Sequence, residues 1–372
     1  MTDPMPSLLL TPGPLTTSSR TRAALGRDWG SRDGDFTALS EGVRARLAAL
    51  AGVADTHVAV PLPGSGTFAV EAAVQTLVPR HGKLLVLVNG AYGRRIATMA
   101  HRLGLAHAAI EAPEHEAVAP DAVAGALAAD PAITDVALVH CETTSGLLNP
   151  LEAIADRVQA AGRRLLVDAM SSFGAVPIDG TRTPFTALIG SANKALEGVP
   201  GLGFVIAARR HLATCAGNAT SLSLDLHDQW RGFESNGQWR FTPPVQVVAA
   251  LSAALDQLEA EGGVAARNAR YRRNCDILVR GMRAHGFRPF ISPALQAPVI
   301  VTFRTPPGGW FRFEIFYDFL HARGIVIYPG KLTHEASFRI GCIGAIGPDD
   351  IARALRAVDA FMLAHGPAQT AA

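Results

Sequence analysis

Short apolar runs that stop abruptly at glycine, serine or a polar residue dominate the middle of the chain. They fall at 58–62, 84–89, 107–110, 135–141, 165–168, 187–191 and 203–207. Each is short, rich in Val, Ile and Leu and nearly unbroken in its hydrophobicity, which predicts strands covered on both faces. Between most of them apolar residues recur at helical spacing, over 67–77, 94–103, 121–129 and 151–160. The alternation predicts an α/β fold whose large, mainly parallel sheet has seven strands. Past about residue 250 the rhythm changes. A long helix over 264–285 is stopped by Gly286 and Pro289, and then come a strand at 298–303, a helix near 311–322, a strand at 337–342 and a last helix near 349–364. We therefore expect an N-terminal arm over 1–20, a large domain over 21–250 and a smaller C-terminal α+β domain over 251–372. Leu8-Leu9-Leu10, stopped by Thr11-Pro12-Gly13-Pro14, reads as an arm or loop, and the tail at 367–372 as frayed.

Composition narrows the class. With 48% hydrophobic and 18% charged residues, the 372-residue chain can bury a substantial core, which excludes disorder. Lys and Arg number 34 against 32 Asp and Glu, a balance that gives no support to a nucleic-acid or membrane-surface partner. Cys141, Cys215, Cys275 and Cys342 lie far apart with no CxxC pair, so neither a zinc site nor a disulfide framework is expected. The N-terminus has no basic segment followed by a long apolar one, and no membrane-spanning run occurs, so the expectation is a cytoplasmic protein. A GxGxxG turn with an acidic ribose-binding residue is missing, as are HxH and HExxH patterns. Nicotinamide chemistry and a metal-dependent hydrolase lose support accordingly.

Candidate chemistry collects at the ends of the expected strands, where open α/β sheets place ligands. Pro63-Gly64-Ser65-Gly66-Thr67 follows a strand and opens a helix, so Gly66 and the Ser65 and Thr67 hydroxyls could cradle a phosphate. A plain turn would read the same way. Asp168 closes the run Leu165-Leu166-Val167 and needs a cation or donor, which could be a protonated pyridine nitrogen, a helix cap or a metal. Lys194, in Ser191-Ala192-Asn193-Lys194, also follows an apolar strand, where burial would lower its amine pKa and favour imine formation. Tyr92, in Asn89-Gly90-Ala91-Tyr92-Gly93, could stack on a planar ring or be an ordinary core tyrosine. Thr143 and Thr144, in Glu142-Thr143-Thr144-Ser145-Gly146, could bond a phenolic oxygen or form a simple hydroxyl turn. Arg339 sits among apolar neighbours in Ser337-Phe338-Arg339-Ile340-Gly341 and wants an anion, either a substrate group or an Asp or Glu.

Taken together these residues resemble the fold-type-I enzymes of pyridoxal 5′-phosphate (PLP), and among them the class V aminotransferases. The stretches Leu8 to Thr17, His140 to Gly146, Val167 to Gly174, Ser221 to Leu226, Trp239-Arg240-Phe241-Thr242 and Val326 to Lys331 extend the likeness over about residues 7 to 360. Within the family they are similar to the branch that moves the amine of 2-aminoethylphosphonate to pyruvate. The resemblance implies a Schiff base between PLP and Lys194, with Asp168 on the pyridinium and Tyr92 stacked on the ring. It implies Ser65, Gly66 and Thr67 on the phosphate, joined by Thr242 from the partner of a homodimer with shared active sites. Thr143 or Thr144 would contact the ring oxygen, and Arg339 the substrate anion. Three positions depart from the family pattern: Arg32 where a second aromatic is frequent, Thr186-Ala187 in place of Asp-Phe, and Glu197 where Gln is more usual. Alanine–glyoxylate and serine–pyruvate transamination remain the nearest alternatives. A cysteine desulfurase lacks a suitable loop cysteine, and a ligand-binding scaffold without turnover would have no use for intact Asp168 and Lys194.

Overall fold

The computed structural model describes residues 7–367. Its centre is a seven-stranded sheet of β1 His57–Pro63, β2 Lys83–Val88, β3 Ala106–Glu111, β4 Ile133–Val139, β5 Arg164–Asp168, β6 Ala187–Ser191 and β7 Leu202–Ala208, in the order β1-β7-β6-β5-β4-β2-β3. Only β7 runs against its neighbours; the remaining pairings are parallel. Successive side chains of a strand point to opposite faces, and both faces are buried. Leu85, Leu87, Leu138, Val167 and Leu188 enter one core, while Leu84, Val86, Val88, Ala137, Val139, Leu166 and Ile189 enter the other. That double burial explains the unbroken hydrophobicity of the strands.

Helices α1 Gly34–Leu50, α2 Gly66–Leu77, α3 Ala91–Arg102 and α4 Val245–Glu261 are among those that cover the sheet and pack on one another. The sequence pattern did not single out α1 or α4. The buried face of α1 is a narrow stripe of Phe36, Ser40, Val43 and Leu47 among alanines and polar residues, a weak periodic signal. Helix α5, Gly263–Ala284, leaves α4 at the Gly262-Gly263 turn and enters a separate small-domain core with β8 Ile300–Arg304, β9 Tyr328–Pro329, β10 Ser337–Gly341 and α6 Pro348–His365. We propose this turn, rather than residue 250, as the domain limit, since α4 packs on α1.

The expected arm is more ordered than a loop. Leu8–Leu9 forms a short parallel pairing with Ile325–Val326, and Leu8 and Leu10 are buried in the small-domain core. Burial of this apolar run outweighs its brevity, so residues 8–13 become a strap across the two units. Most of the tail expected to fray, at 368–372, lies outside the described residues. The cysteines Cys141, Cys215, Cys275 and Cys342 are free thiols.

Candidate active site

The parallel strands end at one edge, and their C-terminal ends build a cavity of about 210 Å³. Ser65, Gly66, Thr67, Tyr92, Asp168 and Lys194 all line it, although they are scattered over more than a hundred residues of sequence. Ser65 is the N-cap of α2 and Tyr92 lies in the first turn of α3. Unpaired N–H groups and the dipole at such a terminus favour an anion. A Cβ on Gly66 would stand 2.1 Å from the Met170 sulfur, so a larger residue there would push the Met170 side chain out of its place beside the cavity. Asp168 is the last residue of β5, opposite Val139 and Ile189 of the flanking strands. Lys194 follows β6 in the next loop.

Electrostatics separate the residues into roles. Burial raises the Asp168 carboxyl to about 6, opposed by the Met170 N–H and by the charges of Lys194 and Arg95. Met170 N–H donates to Oδ1 at 3.0 Å; the second carboxylate oxygen makes no hydrogen bond among the described residues. Burial lowers the Lys194 amine, the charges of Tyr92 and Asp168 acting in the opposite sense. Its Nζ donates to the carbonyls of Pro12 at 2.9 Å and Gly13 at 3.4 Å. Burial pushes the Tyr92 phenol up, but the Thr143 hydroxyl and the charges of Lys331 and Lys194 outweigh it, leaving the phenol below the usual tyrosine value.

The two threonines part company. Thr144 donates its hydroxyl to Glu142 and accepts the Ala91 N–H at 3.2 Å, so it closes the loop onto the start of α3. Buried Glu142 also accepts the Tyr92 N–H at 3.1 Å and the Thr144 N–H at 3.2 Å. Thr143 instead faces the Tyr92 phenol, and its carbonyl accepts from Arg339 Nη1 at 3.1 Å. Arg339, on β10, is 6% exposed and makes no ion pair among the described residues. Its Nε donates to the Pro329 carbonyl at 3.0 Å. The acidic partner that a structural arginine would want is missing there. Thr242 lies on an exposed segment and does not line the cavity of its own chain. Of the departures, Arg32 is exposed, and Thr186 precedes β6 at the end of the sheet away from Lys194.

Sequence reasoning missed Arg95, Ser171, Asn193 and the strap carbonyls. Arg95 lies one helical turn beyond Tyr92; its Nη1 donates to the Thr67 hydroxyl at 3.2 Å and its guanidinium stands 4.8 Å from the Tyr92 ring centre. The i, i+3 spacing from Tyr92 was the available signal. A backbone carbonyl carries no sequence signal at all.

A half-open cavity with a buried amine, a buried carboxylate lacking a cation, and a hydroxyl-lined helix terminus beside an arginine defines an aminotransferase-type site. The chain matches the family Aminotransferase class-V over residues 16–342, and it belongs to that family. It is similar to proteins named 2-aminoethylphosphonate–pyruvate transaminase. One from Pseudomonas putida is 53% identical over 94% of this chain and 95% of its own length. A second such protein, from Burkholderia lata, is 55% identical over 96% of each chain. Among solved structures, pyridoxamine–pyruvate aminotransferase from Mesorhizobium loti is 29% identical with a TM-score of 0.89, over 97% of this chain and 93% of that one. Alanine–glyoxylate aminotransferase from Nostoc shares the fold at a TM-score of 0.89 and 24% identity, over 97% of each chain.

Proposed function

We propose that this aminotransferase moves the amine of 2-aminoethylphosphonate to pyruvate, giving phosphonoacetaldehyde and L-alanine, with PLP as its cofactor. The observation that carries the reading is Arg339, a buried guanidinium without an acidic partner, whose charge acts on Lys194. An arginine so placed suits an anionic group close to a reacting carbon. The names of relatives that match nearly the whole chain support the same substrates.

The residues suit the cofactor. Asp168 keeps one oxygen free in a buried position, fit for a pyridinium N–H, and Lys194 offers a buried amine. Ser65, Gly66, Thr67 and Arg95 would hold the phosphate at the α2 terminus, and Tyr92 would lie against the ring. Thr143, the threonine free of Glu142, would reach the ring oxygen in preference to Thr144. Bound there, PLP supplies an electron sink for the pair left when the substrate carbon loses a proton. Lys194 Nζ takes that proton, and burial, which lowers its pKa, favours the neutral amine that does so. The Pro12 and Gly13 carbonyls hold the amine when it is protonated. Arg339 orients the donor through its anion in one half of the cycle and pyruvate through its carboxylate in the other.

We infer a cytoplasmic homodimer in which Thr242 completes the phosphate site of the partner. Among the described residues no helix is long and apolar enough to cross a membrane. A panel of amino donors with the purified, PLP-loaded protein tests the function: turnover of 2-aminoethylphosphonate with pyruvate is expected. Turnover of serine or alanine alone, with pyruvate or glyoxylate as acceptor, would replace this reading by the alanine–glyoxylate or serine–pyruvate one.

A further inference from the structure

A phosphonate, like a phosphate ester, carries close to two negative charges above about pH 7, where a carboxylate carries one. Arg339 alone is a poor match for that charge. Its Nε and Nη1 are committed to the Pro329 and Thr143 carbonyls, and the Tyr92 phenol also lies against it, which leaves part of one edge of the guanidinium for a ligand. The hairpin that carries Arg339 brings a second cation to the same place. Lys331 follows β9, and its Nζ stands 4.5 Å from the centre of the Tyr92 ring.

Among the described residues Lys331 makes no ion pair, and two acidic groups of its surroundings in the chain are paired elsewhere. Glu114 pairs with Arg94 at 2.6 Å, and Glu335 with Arg304. The loop beyond Lys331 is nevertheless held. Glu114 accepts the Thr333 N–H at 3.0 Å and its hydroxyl at 2.9 Å, and Gly330 N–H donates to the Ser337 carbonyl at 2.9 Å. Lys331 is exposed, yet its amine stands against the ring of a tyrosine that lines the cavity, on a hairpin pinned at both ends, so its charge is held beside the cavity and open to a ligand.

We propose that Lys331 is the second cation that binds the substrate phosphonate, and that it sets the preference for a phosphonate over a carboxylate on the amino donor. The inference rests on the substrate reading above. The phosphonate lies between Lys331 and the free edge of Arg339, with the Tyr92 phenol beside it. Pyruvate, with a single charge, needs Arg339 only.

The test compares wild type, Lys331→Gln and Lys331→Arg as PLP-loaded enzymes. The donors are 2-aminoethylphosphonate and its carboxylate counterpart 3-aminopropanoate, with pyruvate varied separately. Lys331→Gln is expected to raise KM for the phosphonate about tenfold, the scale of one lost charge-assisted hydrogen bond. Its kcat, its KM for pyruvate and its visible cofactor absorbance stay close to wild type, and the phosphonate-to-carboxylate preference shrinks. Lys331→Arg restores most of the preference. In wild type KM for the phosphonate falls as pH rises through the second ionisation of the phosphonate, and in Lys331→Gln that dependence flattens. An unchanged phosphonate KM in Lys331→Gln overturns the inference while the function stands. A wild type that turns over serine or alanine but never the phosphonate overturns both.

Discussion

Lys194 Nζ and the backbone carbonyl of Pro12, 182 residues apart in sequence, meet at 2.9 Å. The strap is thus part of the site, and its fit is tight. Gly13 has φ +114, and a Cβ there would stand 2.5 Å from Lys194 Cδ and 2.9 Å from the Asn193 carbonyl. Gly13→Ala is expected to displace the lysine and lower kcat/KM about a hundredfold, the scale of an ångström-sized misplacement of a reacting group. Steady-state kinetics check this, and unaltered kcat/KM would show that the strap merely covers the cavity.

Asp168 sets a trade between stability and function. Between the ordinary carboxylate range and about 6, the folded cofactor-free protein holds a proton on Asp168 that the unfolded chain has lost. Stability of the cofactor-free protein therefore falls as pH rises through that window. Asp168→Asn keeps an oxygen for the Met170 N–H and removes the buried charge. It should stabilise the cofactor-free protein at pH 7 by on the order of 2 kcal/mol. It should also cut transamination at least about a hundredfold, for want of the pyridinium partner. Denaturant unfolding at pH 4 and 7 with an activity assay checks both; an Asn variant less stable at pH 7 would contradict the burial argument.

Helix α5 holds the lysine loop from beneath. Glu197 has φ 62, the left-handed region that non-glycine residues rarely adopt. Its carboxylate accepts from the Tyr271 hydroxyl and from Arg270 Nη2 at 2.7 Å, with Arg267 at 3.7 Å. Both arginines also pair with Glu261, and Arg267 Nη1 donates to the Ala195 carbonyl at 3.1 Å. Glu197→Ala leaves two arginines facing one carboxylate, Arg267 being only 1% exposed. A loss of about 3–5 kcal/mol is expected, with a milder loss for Glu197→Gln, both read by denaturant unfolding. Equal stability of the three proteins would refute the clamp.

Thr242 tests the shared site. Thr242→Ala and Lys194→Ala are each expected to be nearly inactive. If Thr242 serves the partner subunit, mixing and reassembling equal amounts makes hybrids with one intact site. Activity then recovers to about one quarter of wild type. Mixing that restores nothing would return Thr242 to its own chain or to no role.

The sequence by itself determined the α/β architecture, because strands buried on both faces must be almost wholly apolar. It also determined Ser65, Gly66, Thr67, Tyr92, Asp168 and Lys194 as one group. A polar residue that ends an apolar strand of a parallel sheet is carried to the same edge as its counterparts on the neighbouring strands. Tertiary structure alone decided the rest. That Thr143 rather than Thr144 faces the Tyr92 phenol depends on Glu142, which takes the hydroxyl of Thr144. That Glu197 fits where Gln is more usual depends on two arginines of α5. The Pro12 carbonyl reaches Lys194 through the pairing of the strap with a strand more than three hundred residues on, and Lys331 reaches Tyr92 because the β9–β10 hairpin folds onto the large domain. Such contacts join residues far apart in the chain and leave no local pattern, because packing rather than propensity creates them.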